Sequence, residues 1–314
     1  MGKVAFVFPG QGSQYVGMGS DLCRDFPEAA AVFERADAAL GFSLSRLCFE
    51  GPESELNLTA NTQPAVLTAS MACLEVFRRA GAPQPQALAG HSLGEYTALV
   101  AAGALDFEDA VRLVRARGRY MQEAVPVGEG GMAAVIGLSV EEVERVCKKA
   151  SAYGVVEAVN LNCPCQVVIA GSVYGLEAAE ALAREAGAKR FMRLPVSAPF
   201  HSSLMRPAGD RLAADLASVE IRDLAVPVVA NVTASFVNSG REAKELLVRQ
   251  VYSPVRWEES VLFLVNRGFD TFIEIGPGKV LCGLIKKIDK NVKVFNVGDK
   301  DSLEKVLALA GEVG

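Results

Sequence analysis

Gly90-His91-Ser92-Leu93-Gly94 is a Gly-x-Ser-x-Gly pattern, preceded by the apolar residues 87–89 and followed by helix formers from 93 to 102. Between a strand and a helix this spacing puts the serine on a tight turn, with glycines where side chains would crowd the adjacent elements. A serine there sits at a helix N-terminus, where amides and the macrodipole favour a developing oxyanion, and the amide of Leu93 is the expected donor. The same residues also fit a plain helix start in which Ser92 only caps. A serine nucleophile needs a base, and the chain has two histidines, His91 and His201. Adjacent side chains in an extended approach to the turn point in opposite directions, so His91 is badly placed and His201 is favoured by elimination. It lies in the proline-bearing segment Val196-Ser197-Ala198-Pro199-Phe200-His201-Ser202, where a solvated loop histidine is the alternative. No acid between the two stands out as a third member. Asp106, Glu108, Asp109, Glu123, Glu129 and Glu157 fall on apparent helices, loops or strand interiors, and a backbone carbonyl would serve, since Nδ1–H needs only an acceptor.

Four arginines, Arg112, Arg115, Arg117 and Arg119, share one amphipathic pattern, and helical phase separates them. Arg117 lies within about 70° of the centre of the apolar stripe, Arg115 about 90° away and the others beyond about 100°. Arg117 is therefore the one expected to turn inward, either toward an anionic group, ideally a carboxylate, or as a snorkelling or internally paired side chain. Gly10-Gln11-Gly12-Ser13-Gln14 follows the first strand, where backbone amides commonly face the ligand crevice. Tyr15 breaks a dinucleotide fingerprint there, and Val280 breaks a P-loop at Gly276-Pro277-Gly278-Lys279. Hydride transfer and nucleotide hydrolysis are disfavoured. Cys163-Pro164-Cys165 is too tight for a zinc pair and has no second cluster, so no metal is expected.

The elements that must hold these residues read as an α/β fold. Strands are expected at 4–8 and 87–89, helices at about 20–40 and 61–80, and the α/β alternation resumes after 200 with strands at 226–229, 271–275 and 292–297 and a helix at 281–288. Residues 132–196 follow another rhythm: strand 132–138, helix 140–150, strands 155–162 and 166–170, helix 175–186 and strand 189–196. That order, β-α-β-β-α-β, is ferredoxin-like. Its first helix opens with a capping box, Ser139 to Glu142, and Gly187 is placed to end its second. The expected organisation is a discontinuous core, 1–127 and 198–314, with a parallel sheet, interrupted by a subdomain at 128–197. A cleft between them is the natural site.

Composition agrees. Of 314 residues 50% are hydrophobic and 22% charged, with a net charge of −5, so nothing favours nucleic acid or an anionic membrane surface as partner. Seven scattered cysteines suit a reduced, cytoplasmic setting, the first residues lack a signal pattern, and no apolar run approaches the roughly 18 residues of a membrane span.

Five separated segments together resemble the malonyl-CoA:acyl carrier protein transacylase family of bacterial-type fatty acid synthesis: Phe8 to Gln14, Gly90 to Tyr96, Arg117 with Met121-Gln122, Ala198-Pro199-Phe200-His201, and Ile275 to Gly278. The resemblance covers essentially the whole chain. It implies an α/β-hydrolase-like core with a ferredoxin-like subdomain and a ping-pong transfer through an acylated Ser92. His201 is then base and acid, the amides of Gln11 and Leu93 form the oxyanion hole, Arg117 binds the malonyl carboxylate and the carbonyl of Gln250 orients His201. Asn160 and Phe200 line the site. The implied partners are coenzyme A thioesters and a phosphopantetheinylated acyl carrier protein, with no cofactor and a monomeric chain. Carrier proteins are acidic, so Lys189, Arg190, Lys286 and Lys287 are docking candidates, with ordinary solvated surface as the alternative. One departure stands out: Cys165 occupies a position that is commonly glycine in the family.

Overall fold

The computed structural model describes residues 2–311. The described residues form ten strands in chain order: β1 (Lys3–Phe8), β2 (Ala87–Gly90), β3 (Gly130–Ile136), β4 (Val156–Cys163), β5 (Gln166–Ser172), β6 (Arg190–Arg193), β7 (Val228–Ala230), β8 (Ser235–Phe236), β9 (Phe269–Ile275) and β10 (Lys293–Val297). The larger sheet has the order β10-β9-β1-β2-β7-β8, parallel throughout except for the β7–β8 edge. In β1, Phe6 and Phe8 pack to one face and Ala5 and Val7 to the other, each into a separate buried cluster. Covering on both faces is why this strand reads as a continuous apolar run rather than an alternating one.

Helices Pro27–Leu40, Thr59–Arg79 and Phe107–Glu123 pack together on the Phe6/Phe8 side. Trp257–Val265 and Val280–Ile288 cover the opposite face. The single helix expected at 20–40 is two, Ser20–Asp25 and Pro27–Leu40. Phe26 between them is extended, φ −132° and ψ 115°, because the ring of a following proline disfavours the helical conformation.

The smaller sheet is antiparallel with the order β4-β5-β3-β6. Helices Val140–Ala150 and Val173–Glu185 cover one face with Ala133, Val135, Val167 and Ile169. Met132, Ala134, Val168 and Ala170, alternating with those residues, turn toward the main core. The expected capping box is formed: Ser139 Oγ accepts from the Glu142 amide at 3.3 Å and Glu142 Oε2 from the Ser139 amide at 2.8 Å. β6 is shorter than the expected 189–196. Leu194 and Val196 instead line the cleft over Ser92 and lead the chain toward His201. Val255 of the core, paired with β4 through Leu161 N to Val255 O at 2.9 Å and Val255 N to Val159 O at 2.8 Å, ties the two sheets together. No helix among the described residues is long and apolar enough to cross a membrane.

Candidate active site

β2 runs through Gly90 and turns sharply into helix Gly94–Ala101. At the apex Ser92 has φ +53°, a left-handed conformation that strains any side chain with a Cβ. The glycines make the turn sterically possible. A Cβ on Gly90 would lie 1.9 Å from the Gly94 carbonyl, and one on Gly94 would lie 2.1 Å from the Phe8 carbonyl oxygen. The Ser92 amide is held by Asn231 Oδ1 at 2.7 Å, and Asn231 Nδ2 donates to the Gly90 carbonyl at 2.7 Å, so one side chain at the end of β7 clamps both arms of the turn.

Ser92 Oγ is 2.7 Å from His201 Nε2, and His201 Nδ1 is 2.7 Å from the Gln250 carbonyl oxygen. A carbonyl can only accept, so Nδ1 carries the hydrogen and Nε2 is the bare acceptor facing the serine. His201 is 3% exposed. Burial, with the Arg117 charge adding to it, lowers its pKa to about 3, which keeps the imidazole neutral. None of the six acids weighed from the sequence bonds to His201, whose ring nitrogens meet only Ser92 and Gln250 among the described residues. Asp106, Glu108, Asp109 and Glu123 pair with Arg222, Arg35, Arg112 and Arg211 on the surface. Glu157 accepts from the amide and hydroxyl of Ser203 at 2.8 and 2.6 Å and anchors the loop that follows the histidine. His91 turns away to Asn162 Oδ1 at 2.8 Å.

The arginines order as helical phase requires: Arg117 is buried, Arg115 half-buried, Arg112 and Arg119 exposed. Arg117, 1% exposed, donates to Gln63 Oε1 at 2.7 Å, to Gln250 Oε1 at 3.0 Å and to Ser92 Oγ at 3.1 Å. Its buried Nε has no partner among the described residues. A guanidinium with no carboxylate in direct contact, aimed at the nucleophile, has the geometry to receive one. The amides of Gln11 and Leu93 make no hydrogen bond within the described residues, so both stay free to bind an anion near Ser92.

Ser92, Leu93, Gln11, Arg117, Asn160, Phe200 and His201 line one cavity of about 110 Å³. It adjoins a groove of about 590 Å³ between the sheets, which shares Gln11, His91, Asn160 and Leu194 with it. Asn160 Oδ1 is buried there without a partner among the described residues. Lys189, Arg190 and Lys287 line the groove, whereas Lys286 does not and donates to the Val292 carbonyl at 2.6 Å. Among the described residues no cluster of His, Cys, Asp or Glu is suited to a metal.

Sequence reasoning missed Gln63, Glu95 and Asn231. Gln63 and Glu95 carried a signal, each being a polar side chain inside an otherwise apolar helical pattern. Asn231 carried none, because its partners are 139 and 141 positions away.

The acyl transferase domain family matches residues 5–302. The malonyl CoA-acyl carrier protein transacylase of Bacillus subtilis (strain 168) is 52% identical over 305 residues, 97% of this chain and 96% of that protein. The acyl-carrier-protein S-malonyltransferase of Burkholderia pseudomallei 1710b superposes with a TM-score of 0.95 at 52% identity, covering 98% of this chain and 99% of the other. A malonyl-transacylase solved in complex with the acyl carrier protein of a type II polyketide synthase gives a TM-score of 0.95 at 46% identity, covering 98% and 99%. The matched residues, 5–302, span both sheets and the Ser92 cavity, and the chain belongs to the malonyl-CoA:acyl carrier protein transacylase family of acyltransferases.

Proposed function

We propose that this acyltransferase carries a malonyl group from coenzyme A to the phosphopantetheine thiol of an acyl carrier protein by a ping-pong route through Ser92, supplying malonyl thioester for fatty acid synthesis. The observation that carries this reading is the convergence on one hydroxyl: His201 Nε2 at 2.7 Å and the Arg117 guanidinium at 3.1 Å from Ser92 Oγ.

His201 takes the Ser92 proton as Oγ attacks the thioester carbonyl, and the oxyanion is met by the amides of Gln11 and Leu93. Collapse of the tetrahedral intermediate breaks the C–S bond, and His201 gives its proton to the departing thiolate, which leaves as the coenzyme A thiol. The carrier thiol then runs the same steps in reverse. General base catalysis supplies roughly 10²- to 10⁴-fold, and each oxyanion donor about 3–4 kcal/mol. Burial is the larger cause of the lowered His201 pKa and the Arg117 charge the second; Arg117 holds the malonyl carboxylate, which offsets that charge and moves the imidazole pKa upward. The pantetheine arm runs along the 590 Å³ groove, with the free Asn160 oxygen available to an amide N–H and Lys189, Arg190 and Lys287 near its phosphate end. No cofactor enters this scheme. We also read residues 1–127 and 198–314 as a hydrolase-like core and 128–197 as a ferredoxin-like subdomain, supported by the order β4-β5-β3-β6.

Incubation with malonyl-CoA tests the reading by intact mass. A malonyl increment is expected on the parent protein, absent in Ser92→Ala and discharged by carrier protein. Free malonate as the dominant product would instead make the protein a hydrolase.

A further inference from the structure

Glu95 is 1% exposed, yet it has no salt-bridge partner among the described residues. Its Oε2 accepts from the Asn231 amide at 2.9 Å and from Gln250 Nε2 at 2.8 Å. The other end of that same amide, Gln250 Oε1, accepts from Arg117 at 3.0 Å. Guanidinium, neutral amide and carboxylate thus form a buried chain, Arg117–Gln250–Glu95, one residue type deep. The charged and titratable groups around Glu95 are Arg117 from helix Phe107–Glu123, the phenol of its neighbour Tyr96 and, across Gln250, the neutral His201.

We propose that Glu95 is the counter-charge of Arg117 in the empty site and takes up a proton when a substrate carboxylate occupies Arg117, so that malonyl binding is coupled to proton uptake. This rests on Arg117 being the carboxylate receptor. The reason is charge balance in a buried place. With the site empty, one cation faces one anion. A malonyl carboxylate adds a second anion to the same guanidinium, and two anions on one buried cation leave an unpaired charge that solvent cannot screen. Adding a proton from solvent to Glu95 restores neutrality, and it leaves again when the malonyl group departs on the carrier thiol. Both hydrogen bonds to Glu95 end on Oε2, so protonation at Oε1 breaks neither. Burial already pushes the Glu95 pKa up to about 7, with the Asn231 and Gln250 hydrogen bonds and the Arg117 charge acting in the opposite direction. The group therefore sits where a further push changes its protonation near neutral pH. Glu95 touches no substrate, and acts through Gln250 as a charge-balancing and positioning residue.

The sign follows from linkage. The neutral form of Glu95 binds malonyl better, so affinity is highest below Glu95's pKa and falls by up to about tenfold per pH unit above it, until the higher pKa of the bound state is passed. Calorimetric titration of malonyl-CoA into Ser92→Ala, in phosphate and in Tris at pH 7.5, measures the protons exchanged. Uptake of about half a proton or more is expected with malonyl-CoA beyond that seen with acetyl-CoA, which carries the same phosphates, and none in Ser92→Ala/Glu95→Gln. Glu95→Gln keeps one oxygen for both hydrogen bonds. It should bind malonyl-CoA with a flat pH dependence, as tightly as its parent at pH 6 and several-fold more tightly at pH 8, whereas a purely structural residue would lose affinity at every pH. Equal proton uptake with and without Glu95, or no uptake while Arg117→Ala still weakens malonyl-CoA binding, overturns the proposal alone. Malonyl-CoA binding indifferent to Arg117→Ala overturns it together with the reading of Arg117.

Discussion

Three neutral acceptors, Gln63 Oε1, Gln250 Oε1 and Ser92 Oγ, share the Arg117 guanidinium, and none supplies a formal charge. Burial depresses its pKa, with Tyr96 and Glu95 pulling it back up. An acyl group with a carboxylate end satisfies this cation and one with a methyl end does not, a difference of roughly 1–3 kcal/mol or more. Arg117→Ala should lower malonyl kcat/KM about tenfold to a few hundredfold and raise acetyl transfer relative to malonyl, measured with the two thioesters in competition. At His201 the pKa is displaced downward from the ordinary histidine value, so the base stays unprotonated as pH falls well below that value. The acid limb of kcat/KM assigned to this residue should accordingly lie well under pH 6, and a limb centred at the ordinary histidine pKa would contradict the burial of the ring.

At the scale of elements, two turns show how backbone conformation was chosen. The serine turn needs Gly94 because the Phe8 carbonyl closes on the place of its side chain. Gly94→Ala must therefore displace β1 or the helix, and a loss of several kcal/mol of stability is expected in urea denaturation, together with loss of acylation. The β4–β5 hairpin is the opposite case. Cys163 pairs with Gln166, leaving Pro164 and Cys165 as the turn, and Cys165 has φ +59°. Proline followed by a residue of positive φ is the type II pattern, which favours glycine at the second place. Relief of left-handed strain, worth about 1–2 kcal/mol, exceeds the extra unfolded-state freedom of glycine, about 0.4–1 kcal/mol. Cys165→Gly should raise stability by about 0.5–1 kcal/mol and leave acylation of Ser92 unchanged.

Over the whole molecule, the groove between the sheets gathers Lys189 and Arg190 from the start of β6 and Lys287 from helix Val280–Ile288, residues some hundred positions apart. In the proposed reaction an acidic carrier protein and the phosphates of coenzyme A both meet this rim. Exposed charge pairs contribute about 0.2–1 kcal/mol each, so Lys287→Ala should raise the carrier-protein KM up to about fivefold, with the effect shrinking as salt is added. Lys286→Ala should leave that KM unchanged, because Lys286 does not line the groove and its ammonium is held at the Val292 carbonyl.

Local chemistry was legible in the chain. The elbow follows from glycine spacing, the inward arginine from helical phase, the capping box from Ser139 and Glu142, and the choice of His201 over His91 from strand alternation. These depend on neighbours within a few positions, where backbone geometry fixes direction. The long-range partners were not legible by the same reasoning. That Gln250 would offer its carbonyl to His201 rested on family resemblance, and that its side chain would bridge Arg117 to Glu95 had no counterpart in any periodicity. Nor could the sequence say that Lys286 and Lys287, adjacent on one helix, would face different surroundings. A hydrogen bond between residues 155 apart is set by how two layers pack, and only the tertiary structure brings Glu95 and Gln250 within 2.8 Å.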